Sequence, residues 1–480
     1  MRCMERWRGA ATSLHGMAER VLFLTGHLAR ARLEKVLTGA SDLGFEWSVL
    51  DIGVKVAALM TEAIIRRRLP RPVNADRIVV PGRCRADLAR LGGEIGVPFE
   101  RGPDELRDLP AYFGKHGRDL DLSRHDMRIF AEIVDAAALS VDAIVARAQA
   151  LRAAGADVID LGCLPDTPFP HLEDAVRAVS ATGAPVSVDS ADSDELRRGA
   201  RAGAGFLLSL TERTLDVAAE TGAQPVLIPQ THRDLPSLLR AAEAAERRGI
   251  SAILDPVLDP IHFGFMESLG RYAELRRRLP AADILMGTGN LTELTDADSV
   301  GTTAMLLGIC SELHIRNLLV VQVSPHTRRT IQEHDAARRL MFAARADDSV
   351  PKGYGTALLS LHERKPFPYA PGEIAELAAQ VTDDNFRIEI AEDGIHVYNR
   401  GGHHIAQDAF LLFTKLGVAQ DGAHAFYLGA ELTRAEIAWR LGKRYVQDAP
   451  LDWGCAVDRP DEDRTRLRTI GPTLRAATPE

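Results

Sequence analysis

Gly155-Ala156-Asp157-Val158-Ile159-Asp160-Leu161-Gly162 is the stretch that decides how the middle of this chain folds. An apolar run of strand length ends there on a carboxylate, and the pattern returns in Ser187-Val188-Asp189-Ser190 and in Ile253-Leu254-Asp255-Pro256. In a parallel barrel the C-terminal strand ends form the mouth where ligands bind, so carboxylates at three such ends converge on one cavity. Asp is also a common cap for the helix that follows a strand. Capping explains the set less well, because Asp160 is followed by Leu161-Gly162, and Asp255-Pro256 opens a long loop containing Pro and Gly.

Outward from these motifs, short apolar runs alternate with Ala-, Arg- and Leu-rich helical stretches such as residues 141–153 and 235–248. Candidate strands fall at residues 128–134, 157–161, 185–188, 205–209, 224–228, 251–254, 283–286 and 317–323. Eight parallel strands with helices between them are what a closed (β/α)8 barrel needs, and residues 123–350 are assigned to it.

Before the barrel, strand-like runs at 21–26, 46–50 and 77–80 alternate with helical patterns at 30–43 and 54–68, which predicts a Rossmann-like α/β domain over residues 17–122. Its loops Thr25-Gly26-His27 and Pro81-Gly82-Arg83-Cys84-Arg85 follow strands, but without a GxGxxG they read as turn chemistry. After the barrel, residues 351–380 read as a Pro-rich linker. Residues 381–460 read as a small α+β domain, with a hairpin around Glu392-Asp393-Gly394 and helices at 406–415 and 434–442. Residues 1–16 and 461–480 are expected to be a disordered lead and tail.

The 480-residue chain carries a net charge of −9, which argues against a nucleic-acid binder, whose footprint is basic. Its five cysteines, Cys3, Cys84, Cys163, Cys310 and Cys455, are scattered, without a CxxC pair, and suit a reducing compartment. With neither a membrane-length apolar run nor a signal-peptide core, a cytoplasmic location is expected.

On the three strand-end motifs, the middle region resembles the pterin-binding barrel family of dihydropteroate synthases and methyltetrahydrofolate:corrinoid methyltransferases. Gly155 to Gly162 is similar to that family's GAD-I-ID-GG signature, Ser187-Val188-Asp189 to its S-[IV]-D strand and Ile253 to Pro256 to its I-L-D-P segment. The resemblance implies that Asp189 and Asp255 accept from the 2-amino and N3–H edge of a reduced pterin, with Asp160 beneath. With the N-terminal domain and the tail Lys443 to Gly454, nearly the whole chain resembles dihydropteroate-synthase-related proteins of tetrahydromethanopterin-dependent one-carbon metabolism.

The sequence departs from the synthases where they handle diphosphate and aminobenzoate. Where they carry Asn after the first strand, this chain has Ala131-Glu132-Ile133-Val134-Asp135, and Ser209 replaces their fourth-strand Asn. Gly287-Thr288-Gly289-Asn290-Leu291 replaces Ser-Arg-Lys, and Gln322-Val323-Ser324 replaces Arg-Val-His. Charge is resupplied nearby by Ser324-Pro325-His326-Thr327-Arg328-Arg329. Asp189, Asp255 and Arg328 are therefore the catalytic candidates, and Glu132, Asp160, Ser209, Gln230, Asn290, Gln322, Ser324 and His326 the substrate-binding ones; no resident metal site is assigned.

The resemblance implies a transferase joining a hydroxymethyl-dihydropterin to an arylamine, with Mg²⁺ as the allowed cofactor and a homodimer as the allowed assembly. Two alternatives stay open. Asn290, as in the corrinoid enzymes' Gly-x-Ser-Asn, would suit methyl transfer from a methylated pterin, and the missing cations would suit a pterin-binding protein without turnover. In the C-terminal region, His403-His404, Arg400 and Lys443-Arg444 suit either phosphate and ring recognition or mutual pairing.

Overall fold

The computed structural model describes residues 19–40, 43–115 and 121–458; the expected lead and tail lie outside them. The chain divides into two compact units, Met1–His125 with Arg339–Tyr354, and Asp126–Arg338 with Gly355–Glu480.

The first unit is built on four parallel strands, β1 (Glu19–Thr25), β2 (Phe45–Asp51), β3 (Arg77–Val80) and β4 (Phe99–Arg101), in the order β2-β1-β3-β4. Helix Arg30–Gly39 buries Leu33 and Leu37 against Val21, Phe23 and Val79 on one face. Helices Glu62–Arg68 and Leu88–Ile95 bury Ile65 and Leu91 against Leu24, Ile78 and Val80 on the other. The single helix expected over residues 54–68 is broken: a 3-10 turn, Ala57–Leu59, comes first, and Thr61 restarts the chain by accepting from the Ile64 N–H.

The second unit holds a closed barrel of eight parallel strands, as the motif spacing predicts. They are β5 (Arg128–Ile133), β6 (Val158–Gly162), β7 (Val186–Asp189), β8 (Phe206–Leu210), β9 (Gln224–Leu227), β10 (Ile253–Leu254), β11 (Asp283–Gly287) and β12 (Asn317–Val320). Its core is layered. At the N-terminal end Arg128 donates to Asn317 (3.0 Å) and Asp283 (3.4 Å), and Asn317 donates to Asp283 (2.8 Å). Above this polar plug pack Phe130, Val158, Leu208, Val226, Ile253 and Leu285.

The Gly155–Gly162 stretch is explained residue by residue. Gly155 ends helix Val141–Ala154 in the left-handed region, φ 118°, where a Cβ would also meet Asp335 at 2.8 Å. Asp157 accepts from the Ile129 N–H (2.8 Å) and from Arg338, tying β6 to β5. Asp160 then stands directly in register with Glu132 on β5 and with Ser187 on β7.

Past the barrel the expected hairpin is present, as β13 (Arg387–Ala391) and β14 (Gly394–Asn399), but a third antiparallel strand follows, β15 (Gly402–Ala406), so His403 and His404 are strand residues. The helix expected over 434–442 is the end of a 20-residue helix, Gly422–Leu441, capped by Asp421. The one expected over 406–415 is only Ala409–Phe413, because β15 takes Ala406. The linker contains helix Pro371–Ala378. Within this region the polar groups pair with one another: His396, buried, contacts Asp393 (2.8 Å) and His403 (2.9 Å), and Arg400 meets Asp384 (2.5 Å). Lys443 is buried rather than offered to phosphate, donating to the Ser360 carbonyl (2.8 Å) above the Trp453 ring.

Candidate functional site: a carboxylate-lined barrel mouth

Three carboxylates from adjacent strands, Glu132, Asp160 and Asp189, lie with their oxygens within 4.8 Å of one another at the C-terminal end of the barrel. Asp160 is fully buried; one oxygen accepts from Ser187 Oγ (2.5 Å), and Oδ2 has no hydrogen-bond partner. Gly162 makes room for the group. A Cβ at Gly162 would stand 2.7 Å from Glu132 Oε1.

Such crowding of acids away from water disfavours charge. Burial, and then the neighbouring Asp189, push Glu132 up to about 7. Burial raises Asp160 well above the usual carboxylate range, with Asp189 and Glu132 adding to the effect. Asp189 is raised by burial, against a hydrogen bond from Ser209 that lowers it. The three therefore titrate as one interacting set rather than singly.

The capping role that could have claimed Asp189 belongs to its neighbours. Asp192 accepts from the Asp194 N–H (2.7 Å) at the start of helix Ser193–Ala202, and Ser190 Oγ accepts from the Asp192 N–H (2.9 Å). Asp189 is left to line a cavity of ≈ 520 Å³ with Glu132, Gly162, Ser209, Arg213 and Gln230, within the range of small-molecule sites. Ser209 reaches Asp189 from a left-handed backbone, φ 64°. Arg213 is the one cation among the described residues of this lining.

Asp255 is positioned by a separate brace. Its Oδ1 accepts from the Tyr272 hydroxyl (2.7 Å) and the Val257 N–H (2.8 Å), leaving Oδ2 for a ligand. Tyr272 comes from helix Phe265–Arg278, as does Arg271, which holds the carbonyls of Pro256 and Val257 and the carboxylate of Asp259. Burial raises Asp255 to about 6 against the Tyr272 and Val257 hydrogen bonds, with a further upward push from Asp189. Asp255 does not line the ≈ 520 Å³ cavity, but its charge is felt together with that of Asp189.

The other sequence candidates are placed as follows. Asn290 donates to the Leu258 carbonyl (2.7 Å) and so braces the loop after β10. The Ser324 N–H donates to Glu293 (2.9 Å), and His326 contacts the Thr292 carbonyl (3.0 Å), so both serve the turn after β12. Gln322 keeps a buried, unpartnered Oε1, as does Gln230. Arg328 is exposed on the turn before helix Thr330–Ala346 and does not line the cavity. Thus the mouth assembles Glu132, Asp160, Asp189, Ser209 and Gln230, with Asp255 beside them. Arg213 and Tyr272 were not anticipated: Arg213 sits in a strand-end loop, the criterion that singled out Asp189, whereas nothing in the sequence links Tyr272 to Asp255.

Fold and mouth together define a (β/α)8-barrel protein with a buried, carboxylate-rich site at the strand ends. Residues 19–104 match a family model described as a family of unknown function (DUF6513). Uncharacterized protein MJ0107 of Methanocaldococcus jannaschii is 25% identical over 530 residues, covering 90% of this chain and 99% of the relative. Among solved structures, a Yersinia pestis dihydropteroate synthase with a pterine–sulfa conjugate is 20% identical, covering 47% of this chain and 95% of that one at a TM-score of 0.37. The Thermus thermophilus dihydropteroate synthase in complex with 6HMPPP is 25% identical, covering 46% and 94% at a TM-score of 0.33.

Proposed function

We propose that the barrel binds a reduced pterin and transfers its C6 methylene carbon to an arylamine, in the manner of a dihydropteroate synthase, within tetrahydromethanopterin-type cofactor synthesis. The observation that carries this reading is the set of acceptors at the mouth: Asp189 and Asp255 at the ends of β7 and β10, with unpartnered buried oxygens on Asp160, Gln230 and Gln322. A pterin presents adjacent donors, the 2-amino group and N3–H, that match paired carboxylate oxygens. Its flat body suits a cavity whose lining also includes Val134, Leu164, Pro165 and Ile228.

In the reaction the C–O bond to the diphosphate breaks and the leaving group keeps the electron pair. The arylamine nitrogen forms the new C–N bond and gives up a proton. Asp189 and Asp255, ionised by the pterin's donors, hold the ring and stabilise the cation that develops on it. Glu132, with a pKa near 7, is suited to take up the amine proton. The acceptor left open on Asp160 Oδ2 is an oxygen donor of the kind that Mg²⁺ takes, which leaves Glu132 to the proton and Asp189 to the ring. Bound there, Mg²⁺ would supply positive charge against the departing diphosphate.

Calorimetry with 6-hydroxymethyl-7,8-dihydropterin tests the binding half: wild type binds, and Asp255→Ala weakens binding by ~10-fold or more. No binding to wild type, or unchanged binding in the variant, overturns the reading. Incubation of the pterin diphosphate ester with an arylamine and Mg²⁺, followed by mass spectrometry, tests the transfer half. The scarcity of cations in the lining favours, as a second reading, a pterin-binding protein without turnover; it is selected by binding with no product.

A further inference from the structure

We propose that the N-terminal unit carries a second ligand site, at the point where its sheet reverses direction, for a flat aromatic molecule bearing one anionic group. The chain runs from β1 outward to β2, then crosses back to β3 on the other side of β1, so the loops after β1 and β3 leave the sheet in opposite directions. In open α/β sheets the crevice outside the carboxyl ends of two such strands is where ligands bind. Here that crevice is a cavity of ≈ 390 Å³ lined by both loops and walled on one side by residues 349–352 of the same unit.

Its chemistry selects the ligand class. The walls are mostly apolar, with Phe23 and Val79 from the strand ends, and Leu28 and Val56 at the rim. Leu28 and Val56 are 36% and 43% exposed, apolar surface that an aromatic ring would cover. Inside, the buried hydroxyl of Thr25 makes only a 3.4 Å contact with the neighbouring Gly26 carbonyl, so it is available to a ligand.

Two cations serve an anionic substituent. Arg83 stands 4.0 and 3.9 Å from Asp104 and Glu105, the outer limit of an ion pair, and is not consumed by them. Lys352 is the second, on the covering segment. That segment is held in place by Arg32, which donates to the carbonyls of Lys352 and Gly353 and lies over the Tyr354 ring at 4.4 Å. Arg32 is therefore a wall-former, and Arg83 and Lys352 are the cations left to a ligand in a lining that also holds Asp104 and Glu105. Both loops are seated against neighbouring backbone: a Cβ at Gly26 would meet the Val54 carbonyl at 2.7 Å, and one at Gly82 would meet Pro103 at 2.5 Å.

The test is a fluorescence titration of the full chain with 8-anilinonaphthalene-1-sulfonate, an aromatic monoanion, and with N-phenyl-1-naphthylamine, the same rings without the sulfonate. Saturable binding at one site is expected, weakened ~10-fold or more by Val56→Glu and by the independent rim variant Leu28→Glu. Arg83→Ala weakens the sulfonate severalfold and leaves the neutral probe unchanged. Leu59→Glu is the control, because Leu59 is 66% exposed on the same segment yet does not line the cavity; it changes neither titration. Unsaturable binding, equal loss in Leu59→Glu, or no loss in both rim variants overturns the site, and an Arg83→Ala variant that binds both probes like wild type overturns the anionic class. All four variants lie in the N-terminal unit, so the losses they cause are separate from the result of the pterin reading.

Discussion

At the scale of single residues, the site depends on one missing side chain. Gly162 is a glycine not for its backbone but because Glu132 Oε1 occupies the volume where its Cβ would be. Gly162→Ala is expected to push Glu132 out of the cluster and to cost ~1–3 kcal/mol of stability, the range for an overfilled interior. In a Glu132→Ala, Gly162→Ala double variant the combined cost should fall well short of the sum of the two single costs, since Glu132→Ala removes the atom that a Cβ at Gly162 would meet. Chemical denaturation of the four proteins measures this; strict additivity would show that the contact does not matter. The strand-end positions of Asp160, Asp189 and Asp255 were legible in the sequence because each closes an apolar run, and capping accounts poorly for Asp160 before Leu161-Gly162 and for Asp255 before Pro256. The role of Gly162 was not legible, since a glycine after a strand more often marks a turn, and its reason lies on another strand 30 residues earlier.

At the scale of elements, helix Phe265–Arg278 acts on the site without lining its cavity. Its Tyr272 donates to Asp255 and thereby favours the carboxylate, partly offsetting the burial that brings Asp255 up to about 6. Tyr272→Phe removes a hydrogen bond to the charged form, so the Asp255 pKa should rise further. Because a pterin's donors need the ionised carboxylate, the acid limb of pterin binding should move to higher pH in the variant, with affinity at alkaline pH little changed. Calorimetry from about pH 5 to 8 would show it, and superimposable profiles would show that Tyr272 serves packing alone. The eight barrel strands were readable because each is a short apolar run set between longer helical stretches. Elements of the C-terminal region were harder to place. Strand β15 is mostly Gly and His and has no alternation to betray it, and the first half of helix Gly422–Leu441 carries two glycines and a His that read as a loop.

At the scale of the whole molecule, a chain of net charge −9 gathers four acids at one end of its barrel, with raised pKa values for all four. A carboxyl whose pKa is higher in the folded than in the unfolded chain holds a proton that the unfolded chain has released, so it contributes stability at low pH and loses it as pH rises. For Glu132 that window runs from its ordinary 4.5 to about 7. Surface acids with lowered pKa, such as Glu173 beside Arg198, work in the opposite sense and act at lower pH, having fallen to about 2. The ligand-free protein is therefore expected to lose stability between about pH 5 and 7, and Glu132→Gln, which cannot ionise, should flatten that decline. Thermal unfolding of both proteins across this range is the measurement. If the two curves stay parallel, Glu132 does not titrate in the folded state near neutrality, and the proton acceptor of the proposed transfer would have to be sought elsewhere in the mouth.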